Sequence, residues 1–164
     1  MSPCSRPPAA PSARWSWNSP ATIHDLGLVS AQTRLTWCEL AHRIDRVAGG
    51  LAALGVEPGD RVAALAPNSA EWIVPYLAAC RAGAAFVALN TWYAAGDLGY
   101  VLRQSGSRVL LCAETLFGED LVEGVRAVAA ECPDLAHPVV IGTPHPGERS
   151  FADLGAATGL GRRR

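Results

Sequence analysis

Two hydrophobic rhythms alternate along the chain. Leu40, Ile44, Val47, Leu51 and Leu54 recur at four-three-four-three spacing, which places them on one face of an α-helix. Thr36 and Glu39 stand ahead of them as a capping box, hydroxyl and carboxylate each able to satisfy a backbone N–H at the helix start. Glu39 and Arg43 lie four apart in the favourable order, Gly55 supplies a stop, and Glu57-Pro58-Gly59-Asp60 supplies a turn. The apolar run over 61–66 then predicts a strand buried on both faces. Asn68 and Glu71 form a second cap-like pair, opening a helix with Trp72, Ile73, Tyr76, Leu77 and Cys80 that ends at Gly83. Pro75 lies inside that helix, where a missing N–H costs ~3 kcal/mol or kinks the chain.

The alternation continues. A strand is predicted over 84–89, followed by a helix lined by Leu98, Val101 and Leu102 and ended by Gly106. Gly96 and Gly99 each weaken that helix by ~1 kcal/mol relative to Ala. A strand over 108–112, a helix over 119–131 with Leu121, Val122, Val125 and Val128, and a strand over 138–141 complete the series. Strand and helix in turn predict an α/β fold, a mostly parallel sheet built from βαβ units with right-handed crossovers. Three segments follow: a disordered Pro/Ser-rich lead over 1–30, the α/β portion over 31–142, and a flexible C-terminal tail over 143–164 that ends in Arg162-Arg163-Arg164.

Composition changes this picture little. With 164 residues, 49% hydrophobic and 18% charged, the chain suits one soluble globular core. A net charge of −1 gives no electrostatic case for nucleic acid or an anionic membrane. The lead has no apolar core of a signal peptide, and no apolar run approaches the ~18 residues that span a bilayer, so a cytoplasmic location is expected. Cys4, Cys38, Cys80, Cys112 and Cys132 are odd in number and widely spaced, and read as reduced thiols.

The 14 basic side chains are all Arg, so the sequence holds no Lys. No Gly-x-Gly-x-x-Gly or Walker loop follows a strand, and no Gly-x-Ser-x-Gly elbow occurs. Gly155 to Gly161 is glycine-rich but follows no predicted strand. Cys132, His137 and His145 share a loop at a spacing that fits no common zinc pattern, His42 borders an apolar stripe, and Asp120 with Glu123 reads as a solvated face. Catalytic and metal-ligating residues are therefore assigned to none of them.

The run from Leu35 to Leu111 carries Leu-Thr-Trp before the first helix, Gly-Val-Glu-Pro-Gly-Asp-Arg-Val into a strand, Pro-Asn-Ser before the second helix, then Arg-Ala-Gly-Ala and Leu-Asn. In that order these blocks resemble the opening of the adenylate-forming superfamily, the AMP-forming acyl-CoA synthetases and their relatives. Weaker similarity continues through Arg149 to Leu154, a kind of segment that often precedes the family's nucleotide loop. The resemblance implies the first part of the large N-terminal domain of such a ligase. Full-length members use ATP, Mg and CoA to activate a fatty or other carboxylic acid and form a thioester. The Ser/Thr/Gly-rich loop with Lys, the Thr-Glu magnesium motif, the ribose Asp and the adenylating Lys are absent from these residues. A truncated ligase, inactive alone and holding no cofactor, is the expectation.

Some relatives have a basic residue where Trp92 stands, near the nucleotide end of CoA, so Trp92 is the one candidate cofactor-binding residue. Stacking on adenine and simple aromatic packing at a strand-to-helix joint both remain open for it. Two kinds of partner follow: the remainder of the ligase supplied in trans, as for a non-catalytic interaction module, or self-association through an exposed apolar edge.

Overall fold

The computed structural model describes residues 25–116 and 118–156. The predicted alternation is there, with strands β3 (Arg61–Leu65), β4 (Ala85–Ala88), β5 (Val109–Ala113) and β8 (His137–Ile141) separated by helices α2 (Ala70–Arg81), α3 (Ala95–Ser105) and α4 (Leu121–Ala129). Ahead of them, β1 (Leu26–Val29) and β2 (Arg34–Thr36) form an antiparallel pair that leads into α1 (Trp37–Ala53). A two-residue pair, β6 (Thr115–Leu116) with β7 (Glu119–Asp120), precedes α4, and β9 (Arg149–Ser150) with α5 (Phe151–Ala156) closes the described chain.

The main sheet has five strands in the order β4-β3-β5-β8-β9, and every pairing in it is parallel. Parallel strands need cover on both faces, and the alternation of side chains divides the core accordingly. Val62, Ala64, Val109, Leu111 and Val139 point toward Leu40, Val47 and Leu51 of α1, Val74 and Ala78 of α2, and Leu154 of α5. Ala63, Leu65, Leu110 and Cys112 point the other way, toward Leu98 and Leu102 of α3 and Val125 and Val128 of α4.

The capping box at Thr36 is formed: Glu39 N–H donates to Thr36 Oγ1 at 3.2 Å, and Thr36 N–H donates to Glu39 Oε2 at 2.8 Å. Those hydrogen bonds, the backbone one first, hold the Glu39 carboxyl below the usual carboxylate range. The second cap differs from expectation. Ser69, not Asn68, occupies the N-cap of α2, and it makes no side-chain cap bond. Pro75 keeps its place inside a continuous α2 and is fully buried, so packing of the ring offsets the lost backbone bond.

Arg61, at the start of β3, donates from Nε to Ser105 O at 2.7 Å and from Nη2 to Gly106 O at 2.6 Å. A guanidinium at the carbonyl end of α3 satisfies acceptors that the helix itself leaves open. Gly106 sits at φ 59°, a left-handed cap that favours glycine.

Two segments read from sequence as flexible contain structure. Leu26–Val29, within the lead, pairs with β2; Arg149–Ser150 and Phe151–Ala156, within the tail, add a strand to the sheet and a helix against α1. Each is too short to show a period, and long-range pairing stabilises it. The rest of the lead and the tail beyond residue 156 lie outside the described residues. Among the described residues, no helix is long and apolar enough to cross a membrane. Cys80, Cys112 and Cys132 are free thiols, but Cys38, in the first turn of α1, is disulfide-bonded, which corrects the expectation of uniformly reduced cysteines.

Candidate functional site

In an open parallel sheet, ligands are held outside the carboxyl ends of the strands, where successive connections depart to opposite sides. Here that point is β3: the next strand, β4, lies on one side of it and β5 on the other. The carboxyl edge at this point carries Ala66, Pro67 and Asn68 after β3, Asn90 and Thr91 after β4, and Leu116 after β5. With Trp72 of α2 they line a cleft of about 360 Å³.

The corner at Asn90 is built by the asparagine itself. Asn90 Oδ1 accepts from Trp92 N–H at 3.0 Å and Asn90 O accepts from Tyr93 N–H at 3.1 Å, so the side chain mimics a backbone turn. The turn aims the Trp92 ring outward, 79% exposed. Trp72 at the cleft wall continues into an aromatic cluster, stacked on Tyr76 with centroids 6.0 Å apart and edge-on to Phe86 at 5.2 Å. Among the described residues, no cationic side chain lines this cleft. It offers amide and hydroxyl groups and aromatic faces, a set that can orient a planar group but not neutralise a phosphate.

Further along the edge, Glu114 reaches across from β5 and its Oε2 accepts from Thr143 N–H at 2.8 Å. Gly142 passes directly beneath at φ 125°, and a Cβ there would lie 2.6 Å from that oxygen. This clamp went unread in the sequence, since nothing local pairs residues 29 apart.

The remaining sequence candidates do not converge. Cys132 is buried behind α4, and His137 begins β8 with its imidazole pushed below its ordinary pKa by burial and by Arg149. His145 Nε2 stands 3.6 Å from Asp120 Oδ2. Among the described residues, no group of His, Cys, Asp and Glu is placed to hold a metal ion. Asp120 is not merely a solvated side chain: it is the N-cap of α4 and accepts from the N–H groups of Val122 and Glu123. The Asp-x-x-Glu spacing from Asp120 to Glu123 was the available signal.

Burial pushes the Cys112 thiol up from 9.0 to about 12, with Asp120 and Glu148 adding to the effect. Its neutral form is retained in the fold while the unfolded thiol ionises near 9, so stability falls as pH rises from about 9 toward 12. Cys112→Ala is expected to flatten that alkaline limb in pH-dependent melts. In native protein at pH 8, a thiol reagent should modify exposed Cys80 rapidly and Cys112 only on unfolding.

The family model for AMP-binding enzymes matches residues 12–156. The chain belongs to that family. A Mycobacterium tuberculosis protein, 3-[(3aS,4S,7aS)-7a-methyl-1,5-dioxo-octahydro-1H-inden-4-yl]propanoyl:CoA ligase, is 39% identical over 134 residues, covering 82% of this chain and 26% of the relative. The salicyl-AMP ligase / salicyl-S-ArCP synthetase of the same organism is 34% identical over 145 residues, 88% of this chain and 26% of its own length. The crystal structure of the anthranilate CoA ligase AuaEII in complex with anthranoyl-AMP superposes with a TM-score of 0.77 at 27% identity, covering 87% of this chain and 26% of that one. The chain thus spans about a quarter of the length of these relatives. The α/β fold with its parallel sheet is that of the opening part of an AMP-binding ligase, as the motifs from Leu35 onward imply.

Proposed function

We propose that this chain supplies the opening α/β portion of an AMP-forming acid–CoA ligase and that, as 164 residues alone, it does not carry out the reaction. The observation that carries this reading is the match to CoA- and AMP-forming ligases along more than four fifths of the chain, in a sequence without a single Lys. In the overall reaction, a carboxylate oxygen bonds to the α-phosphorus of ATP as pyrophosphate leaves. The CoA sulfur then bonds to the acyl carbon as AMP leaves. Both steps develop phosphate charge that needs cations close by, and the cleft at the carboxyl edge presents Asn68, Asn90, Thr91 and Trp72 instead. ATP, Mg and CoA belong to the complete ligase, whose substrate is a fatty or other carboxylic acid. Free thiols at Cys80, Cys112 and Cys132 support a cytoplasmic setting, and the bonded Cys38 counts against it.

The purified chain, given ATP, magnesium, CoA and a panel of octanoate, benzoate and salicylate, is expected to release no pyrophosphate above the protein-free blank. Acid-dependent release would overturn the reading. Trp92 has the narrower role of stacking on the CoA adenine, supported by its exposed indole at the corner fixed by Asn90. Base stacking on an aromatic side chain is worth ~1–3 kcal/mol, so Trp92→Ala in an assembled ligase should raise KM for CoA about tenfold and leave KM for the acid unchanged. Equal effects on both would assign Trp92 to packing.

A further inference from the structure

Three helices share the face of the sheet that carries Leu111 and Val139, and where α1, α2 and α5 meet they leave a cavity of about 270 Å³. The space exists because α5 presents small residues to it, Ala152 and Gly155, and nothing lies within 4 Å of where a Gly155 Cβ would stand. Its floor is apolar: Val47 of α1 and Val74 of α2, each 3% exposed, with half-buried Phe151 beside them. Helix α2 separates it from the carboxyl-edge cleft, since Trp72 lines that cleft while Glu71 and Val74 line this cavity.

Two cations border this apolar floor. Arg43 and Arg46 are three apart on α1, hence on one helical face, and both line the cavity. Among the described residues neither makes an ion pair, and the carboxylates beside them on α1 are committed elsewhere. Glu39 accepts from Thr36 in the capping box and feels Arg43 only through space, while Asp45 pairs with Arg81 of α2. Glu71, on the α2 wall, pairs with neither arginine. Guanidinium groups beside an apolar floor suit a ligand with an anionic head and an apolar body, and the planar fork of Arg matches a carboxylate. Glu71 repels a second negative charge, which favours a monoanion over a dicarboxylate or a phosphate dianion. Sites for drug-sized molecules begin near about 300 Å³, so this one admits a single ring or a short chain.

We infer that the cavity between α1, α2 and α5 binds a compact apolar monocarboxylate, its head held by Arg43 and Arg46 and its body laid on Val47, Val74 and Phe151. None of these residues lines the carboxyl-edge cleft, so binding here does not depend on the ligase reading. Glu71 sets the limit of one negative charge.

The test titrates sodium benzoate into the intact 164-residue chain and follows its backbone amides by NMR. Amides of 43–47, 70–74 and 151–156 are expected to shift with a dissociation constant on the order of 1 mM, within reach of so small a ligand. Arg43→Gln and Arg46→Gln should each weaken binding at least about fivefold, with melting temperatures nearly unchanged because both side chains reach the surface. Gly155→Leu, which fills the open space, should abolish binding. Glu71→Gln should tighten it and admit a dicarboxylate. Benzyl alcohol has the ring without the charge and inorganic phosphate the charge without the ring; each should bind at least about tenfold more weakly than benzoate. No shifts at about 20 mM benzoate, or binding insensitive to both arginine variants, overturns the inference. So does phosphate binding as tight as that of benzoate, which would leave surface charge as the whole effect. A response confined to Asn90 and Thr91 overturns it as well, since benzoate would then occupy the cleft.

Discussion

Gly50→Ala lowers the melting temperature of this protein, although the same change in an unconstrained helix raises it. Gly inside a helix costs ~1 kcal/mol relative to Ala, so propensity alone predicts stabilisation. The packing predicts the opposite. Gly50 lies buried in α1 where α5 crosses it, and a Cβ at that position would meet Leu154 O at 2.5 Å and Leu154 Cα at 2.8 Å. These are backbone atoms, so no side-chain rotation relieves the contact; α5 must shift from α1. Overpacking of this kind costs about 1–3 kcal/mol, and the bulkier Gly50→Val should release α5 altogether. Gly124→Ala is the control, because it lies in α4 with nothing within 4 Å of the added carbon and should gain up to ~1 kcal/mol. Thermal melts of the two variants therefore move in opposite directions. Parallel shifts would mean that α5 does not pack on α1 as described. Faster proteolysis at 151–156 in the Gly50 variants would place the loss at that contact.

Gly50 also marks where sequence reading stopped. The stripe of Leu40, Ile44, Val47, Leu51 and Leu54 was legible because a helix must bury one face; four of the five are buried in the structure and Ile44 is half-buried. The strands at 61–66 and 108–112 were legible because strands covered on both faces are apolar at consecutive positions, and the apolar runs at 84–89 and 138–141 marked strands as well, although β4 at the sheet's edge is only partly buried. Their order was not. That β3 lies between β4 and β5 depends on pairings such as Ala64 with Ala88 and with Leu111, and such partners leave no local trace. Helix α5 has six residues and one buried side chain, Leu154, too little for a period to show. At the candidate site, the Asn90-Thr91-Trp92 corner was visible as a joint between strand and helix. What could not be read was that Asn90 commits its side-chain oxygen to the turn and thereby exposes Trp92. The clamp from Glu114 to Thr143 depends in the same way on residues far apart in sequence.

The largest loss is expected at the centre of the sheet. Leu111 is 0% exposed in β5, with Ala64 of β3 on one side and Val139 of β8 on the other in register. Its side chain points into the layer filled by Leu51 of α1 and Ala78 of α2. Several of these neighbours are alanines, which have no rotamers with which to refill space, and the strand backbones are fixed by parallel pairing on both sides. Leu111→Ala should therefore leave most of its cavity open and cost about 2–5 kcal/mol, near the upper end where collapse is prevented. A domain of this size has about 5–15 kcal/mol in total, so the variant forfeits a third or more of its stability. Urea unfolding should show a lower midpoint with an unchanged slope, since the denatured state is not altered. Leu111→Met, which keeps the volume, should cost less than about 1.5 kcal/mol. A Leu111→Ala loss below about 1 kcal/mol would show that the layer can close around the missing carbons. In that case β5 would not be the rigid centre from which the carboxyl edge, with Asn90 and Glu114, takes its geometry.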